Sequence, residues 1–341
     1  MLYVTTRNKH DAFTAHHAVH ELTAPDGGLY VPFRLPVFES QQVEKWLKEG
    51  FGACVADVLN SFFACGVTAW EVEFGAGRHP LRLSAIGRRV TVCELWHNMH
   101  DSYDYVESVL SRRITGSEEQ PRGWVRIAVR IAVLAGVFVQ LMKSEITDGT
   151  KAVDISVCAG DFALPMACWY LREMGFPVGK IVCACNDNSA VWELLRHGEL
   201  KTDVSLKKTA THLADATVPA ELERLIFGTL GQEEACRYAS CVEQRQIFTP
   251  RIGMLDNLRK GMYATVTSDR RTMEMIPNVC RTTGYLMGPY TALSYAGLMD
   301  YRAKTGETRE ALLLADRSPV LDRDFMNKAM GEAYSHWENK L

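Results

Sequence analysis

Two histidines and two aspartates crowd one short stretch, at His97, His100, Asp101 and Asp104. Imidazoles three residues apart can share a metal ion, and neighbouring carboxylates can do acid–base work when partly buried. No third metal ligand is fixed by spacing, and a solvated, hydrogen-bonded loop accounts for the same residues. A second site is the turn Val157-Cys158-Ala159-Gly160-Asp161-Phe162-Ala163. It joins an apolar strand to a helix, so its free N–H groups suit an anion or phosphate. Asp161 works against that, because a carboxylate repels a bound phosphate. Cys183 and Cys185 alternate along a strand and point the same way, but no second cysteine pair completes a zinc site. Cys236 and Cys241 do not share a helix face well. His16, His17 and His20 read as solvated surface. There is no G-x-S-x-G, Walker loop or G-x-G-x-x-G.

The elements that position these residues follow from periodicity and breakers. Residues 2–6 and 29–31 read as short strands, with helices at 41–50 and 54–65. Residues 70–74 alternate apolar and acidic side chains and predict a half-buried strand, as do residues 89–95. A long apolar helix is expected over 123–145, stopped by Asp148-Gly149. Strand 152–157, helix 165–174 and strand 178–184 form a strand–helix–strand unit, which implies parallel pairing and a right-handed crossover. Helices follow at 189–197, 219–229, 232–243, 251–263, 269–283 and 291–305. A strand at 311–315 and a helix at 323–333 close the chain. The class is α/β.

Composition bounds the function. With 341 residues and 47 % hydrophobic content, the chain can bury a core without metals or disulfides. A net charge of −3 argues against nucleic acid and against a polybasic membrane surface. Arg7, Lys9, His10 and Asp11 interrupt any export signal. Arg126 and Arg130 interrupt the longest apolar stretch, which argues against a membrane span. Ten cysteines in largely apolar surroundings fit a reducing cytoplasm.

Several segments carry a family resemblance. Ala24-Pro25-Asp26-Gly27-Gly28-Leu29-Tyr30-Val31-Pro32 matches A-P-D-G-G-L-Y-V-P residue for residue. Tyr3-Val4-Thr5-Thr6-Arg7 is similar to Y-x-S-T-R, and Glu94-Leu95-Trp96-His97 to E-L-F-H. Residues 157–163 stand at V-P-[ST]-G-N-F-G, and Ala184-Cys185-Asn186-Asp187-Asn188 at A-T-N-x-N-D. Thr209, Asp215, Glu223, Arg224 and Leu225 are retained from a further conserved-type stretch. Gly288-Pro289-Tyr290-Thr291-Ala292 stands at D-P-H-T-A, and residues 316–321 at T-A-H-P-A-K. The chain resembles threonine synthase, a lyase using pyridoxal phosphate (PLP) on the fold type II, tryptophan-synthase-β-like scaffold.

The resemblance implies a parallel-sheet large domain and a PLP site. Its remnant cofactor positions are Gly160, Asp161, Phe162, Ala163, Asn186, Asn188, Asp316 and Ser318, and its remnant substrate position is Arg126. The family's Schiff-base lysine follows E-L-F-H. An ungapped match puts Asp104 there, and a one-residue gap deletes the position. No lysine lies between Lys48 and Lys143. Asp161 replaces an asparagine and Ala163 a glycine in the phosphate loop, and Asp316 replaces a threonine. The 123–145 helix takes up nearly half of the stretch between Asp104 and Gly160. One strand–helix–strand unit needs about 30 residues, so the family's small substrate domain is expected to be largely deleted.

The expected division is a threonine-synthase-like region at 1–93, a shortened cofactor-lysine and small-domain remnant at 94–150, and a large α/β domain at 151–341. The expected function is a non-catalytic relative binding a small phosphate, a carboxylate or a protein partner, with no covalent cofactor and no metal. The alternatives are a residual or repurposed PLP-type lyase converting phosphohomoserine to threonine, and a new activity in the vacated cleft using His97, His100, Asp101 or Asp104. The face bared by the missing domain is expected to be covered by a second copy, or by the 123–145 helix and residues 229–250.

Overall fold

A computed structural model describes residues 1–73, 81–97, 100–116 and 123–338, and only the backbone of His97, His100, Asp101 and Glu338. A six-stranded sheet organises the described chain. Its order is Met262–Val266, Val178–Cys185, Val153–Cys158, Ala311–Ala315, Val90–Glu94 and Arg82–Ala85. The first five strands are parallel, and Arg82–Ala85 closes the edge antiparallel. Runs such as Ala311-Leu312-Leu313-Leu314-Ala315 are buried on both faces, as a helix-covered parallel sheet requires. A separate three-stranded antiparallel sheet joins Phe13–Thr14, Leu2–Thr5 and Tyr30–Pro32. The main sheet draws strands from residues 82–94 as well as from 153–315.

The Trp124–Lys143 helix is apolar around nearly its whole circumference, and the structure shows why. It runs between the Phe51–Phe63 and Ala163–Glu173 helices, with the Ser102–Thr115 helix alongside. It is long and apolar enough to cross a membrane, but 78 % of its apolar window is buried inside the protein. An all-round apolar helix in that position is a core helix. Gly136 permits the close packing: a Cβ there would lie 2.5 Å from the Phe51 ring.

Three expectations about local structure are corrected. Residues 70–72 of the expected 70–74 strand lie instead in a short helix, Ala69–Val72; Phe74 lies outside the described residues. A capping box starts it: Glu71 accepts from the Thr68 N–H at 3.0 Å, and this local bonding outweighs an alternation only a few residues long. The expected 251–263 helix is a short one, Leu255–Gly261, followed at once by the edge strand Met262–Val266. Parallel pairing with Ile181–Cys185 captures Tyr263, Thr265 and Val266, residue types that suit a strand. The closing helix ends at Met330, where Gly331 takes a positive φ of 59° and a second helix, Ala333–Glu338, begins.

Candidate functional site

The central strand Val153–Cys158 has Val178–Cys185 on one side and Ala311–Ala315 on the other, so the connections depart in opposite directions. Crevices at the carboxyl ends of strands at such a reversal are where open α/β sheets bind ligands. A pocket of about 390 Å³ lies there. Val157, Cys158 and Leu314 form its floor, and Asp104, Arg126, Arg130, Asp161, Asp316, Arg317 and Ser318 supply its polar wall. Trp96, Ser294 and Tyr290 complete the lining.

The 160–163 loop keeps an unusual backbone. Gly160 has φ 43° and Phe162, fully buried, has φ 71°. A bulky residue held left-handed is strained, and the buried Phe162 side chain fixes it there. A turn at the start of a helix such as Ala163–Glu173 is where free backbone N–H groups bind anions. Asp161 occupies that position itself. Its Oδ1 accepts from the Ala163 N–H at 3.0 Å, and its Oδ2 accepts from Arg126 Nη2 at 3.0 Å.

All three arginines of the wall have carboxylate partners. Arg126 pairs with Asp161, Arg130 with Glu107 at 2.7 Å, and Arg317 with Asp322 at 2.9 Å. Arg130 also lies over the Tyr103 ring at 4.9 Å and donates to the Arg126 carbonyl at 3.0 Å. Asp316 has no ion-pair partner within 4 Å among the described residues. Withdrawal from water pushes its carboxyl above the ordinary range, Arg130 and Arg317 oppose this, and Asp104 adds to it. Ser318 Oγ is buried in the same wall with no hydrogen-bond partner. Burial pushes the Cys158 thiol up to about 12, so it is no nucleophile at neutral pH.

The fold brings Asp104, Arg126, Gly160, Asp161, Ala163, Asp316 and Ser318 together in the lining of one pocket. Asp104 lies in the first turn of the Ser102–Thr115 helix, not in a loop. Trp96–His97 and His100–Asp101 form a small hairpin just before it, and the side chains of His97, His100 and Asp101 lie outside the described residues. Phe162 packs into the core rather than the pocket wall. Asn186 and Asn188 do not line the pocket. Their Nδ2 atoms donate to Asp215 Oδ1 at 2.8 and 3.0 Å, and Asn186 also bonds Thr209 and Thr211. That cluster braces the segment carrying Leu213 and Ala214 against the pocket. Sequence reasoning missed Arg130, Arg317 and Glu107. Arg130 was legible as the residue one helical turn after Arg126, on the same face. No described lysine lines the pocket, and no described cluster of three or more histidine, cysteine or acidic side chains could hold a metal.

The fold and pocket define the class: a mostly parallel α/β scaffold of the kind seen in PLP-dependent enzymes. Residues 2–73 match the family model described as "Threonine synthase N terminus". The chain is 23 % identical over 178 residues to Threonine synthase-like 1 from Homo sapiens, covering 50 % of this chain and 23 % of that protein. It is 26 % identical over 246 residues to threonine synthase from Eremothecium gossypii, covering 66 % of this chain and 46 % of that one. PLP-bound threonine synthase from Brucella melitensis superposes with a TM-score of 0.79 at 18 % identity, covering 96 % of this chain and 91 % of that chain. The chain thus resembles the threonine synthase family in its N-terminal segment and in its fold. It spans about a quarter of the length of the Threonine synthase-like 1 relatives. PLP is a cofactor within that family.

Proposed function

We propose that this chain is a non-catalytic relative of threonine synthase that retains the pocket as a binding site for a small molecule. The observation that carries the reading is the make-up of the wall. An imine with an aldehyde cofactor needs an amine, and the wall presents Asp104, Asp161 and Asp316 with no described lysine. The phosphate end is filled too, because Asp161 takes the Ala163 N–H and the Arg126 guanidinium. The residues present do not fit covalently held PLP.

The segment between the pocket helix and the central strand supports a shortened small domain. Among the described residues, 102–116 and 123–152 contain two helices and no strand. Association of two copies over the adjacent face belongs to the same reading, and mass measurement in solution tests it. Ten free cysteines, most of them buried, favour a reducing cytoplasmic setting.

The test is the visible spectrum of the purified chain after adding PLP, followed by borohydride. The expected result is no bleachable band and no reduced adduct on any peptide. A borohydride-stable adduct on a single lysine, formed at stoichiometric PLP, overturns the reading.

A further inference from the structure

The geometry points to a small amine-bearing molecule as the pocket's ligand, its ammonium paired with Asp316. This inference rests on the proposed role of the pocket as a binding site. Its first support is charge. The wall carries three arginines, and each is already ion-paired. Against them stand five carboxylates: Asp104, Asp161 and Asp316 in the wall, and Glu107 and Asp322 behind it. An anion entering here would have to displace Asp161 from Arg126 or Glu107 from Arg130. A cation meets Asp316 with no ion pair to break.

The second support is the orphaned Ser318 Oγ, 1 % exposed, in the same wall two residues beyond Asp316. A buried hydroxyl without a partner costs stability unless a ligand supplies one. An ammonium N–H can donate to the Asp316 carboxylate while a neighbouring polar atom of the ligand bonds Ser318. The apolar lining, which includes Val157, Leu164 and Leu314, then takes a short carbon chain. The volume suits a ligand of small-molecule size rather than a peptide.

The experiment is a thermal-shift and calorimetric comparison on the full chain. The probes are ethanolamine and 1,4-diaminobutane, set against acetate and inorganic phosphate at matched ionic strength. Amines are expected to bind and stabilise, and the anions are not. Asp316→Asn keeps shape and hydrogen bonding but removes the charge, and is expected to weaken amine binding about ten- to a hundredfold, the scale of a charge-assisted hydrogen bond. Ser318→Ala gives a smaller loss and serves as a second probe that leaves the carboxylate in place. Stabilisation by the anions alone, silence towards both amines, or amine binding unchanged in Asp316→Asn overturns the inference. Those results leave the non-catalytic reading standing, since that reading fails only on formation of the PLP adduct.

Discussion

Asp161 Oδ2 lies 3.0 Å from Arg126 Nη2 while its Oδ1 lies 3.0 Å from the Ala163 amide nitrogen. One carboxylate therefore does two things an incoming phosphate would otherwise do: it bonds a helix-start N–H and neutralises a guanidinium. Both side chains are partly exposed, so the pair contributes little to stability on its own. Its effect is on who else can bind. Asp161→Gly is expected to lose only a few tenths of a kcal/mol of stability through the missing bond at the helix start. The same variant is expected to gain a phosphate-dependent rise in melting temperature that the parent lacks. Melting curves with and without phosphate check both points, and equal phosphate responses in parent and variant refute the blocking role.

Arg130 and Glu107 form the best-buried ion pair behind the pocket, at 2.7 Å with 15 % and 7 % side-chain exposure. Removing one partner strands the other in a dry site. Glu107→Ala is expected to cost about 3–5 kcal/mol. Glu107→Gln, which keeps an acceptor for Arg130, is expected to cost distinctly less. Urea unfolding curves with unchanged slope give the comparison.

Arg224 ties the N-terminal sheet to the body of the molecule. It is fully buried, donates from Nε to the Tyr30 carbonyl at 3.0 Å, pairs through Nη1 with Glu221, and lies 5.9 Å from the Trp124 ring. Burial lowers its pKa to about 10, which still leaves it charged at neutral pH. Arg224→Met keeps most of the volume but leaves Glu221 unpaired. It is expected to destabilise by about 3–5 kcal/mol, and protease digestion should then release the N-terminal segment first.

The raised Asp316 carboxyl gives a pH signature. The groups facing it are Arg130, Arg317, Asp104 and the Cys158 thiol. A carboxyl with a raised folded-state pKa binds more protons in the folded chain than in the unfolded one. Its contribution to stability is therefore present at low pH and falls as pH rises from the ordinary carboxylate range through the raised value. Amine binding needs the ionised form and is expected to strengthen across the same window. Asp316→Asn should flatten both trends. Melts and titrations run from acid to neutral pH measure them, and an amine affinity that falls with rising pH there contradicts the assignment.

Much of the scaffold was legible because it rests on long, strongly patterned segments. The Trp124–Lys143 helix, the strand–helix–strand unit beginning at Val153 and the Ala311–Ala315 strand all appear where periodicity puts them. Misreadings fell on short segments. At residues 69–72 a capping box outweighed an alternating pattern, and at Met262–Val266 a neighbouring strand claimed residues that local propensity left undecided. The site divides the same way. The turn at Gly160 and Asp161, and the absence of lysine between Lys48 and Lys143, are properties of the chain's order alone.

The sequence by itself determined which functional groups are present: no lysine between Lys48 and Lys143, a carboxylate at Asp161 in the strand-to-helix turn, and the nine-residue segment that resembles the family. Only the tertiary structure decided how those charges are spent. Arg126 turns to Asp161, Arg130 to Glu107 and Arg317 to Asp322, while Asp316 is left facing the pocket. Ion pairing depends on distances of a few ångströms between residues here 5 to 35 positions apart, and spacing along a chain does not fix such distances.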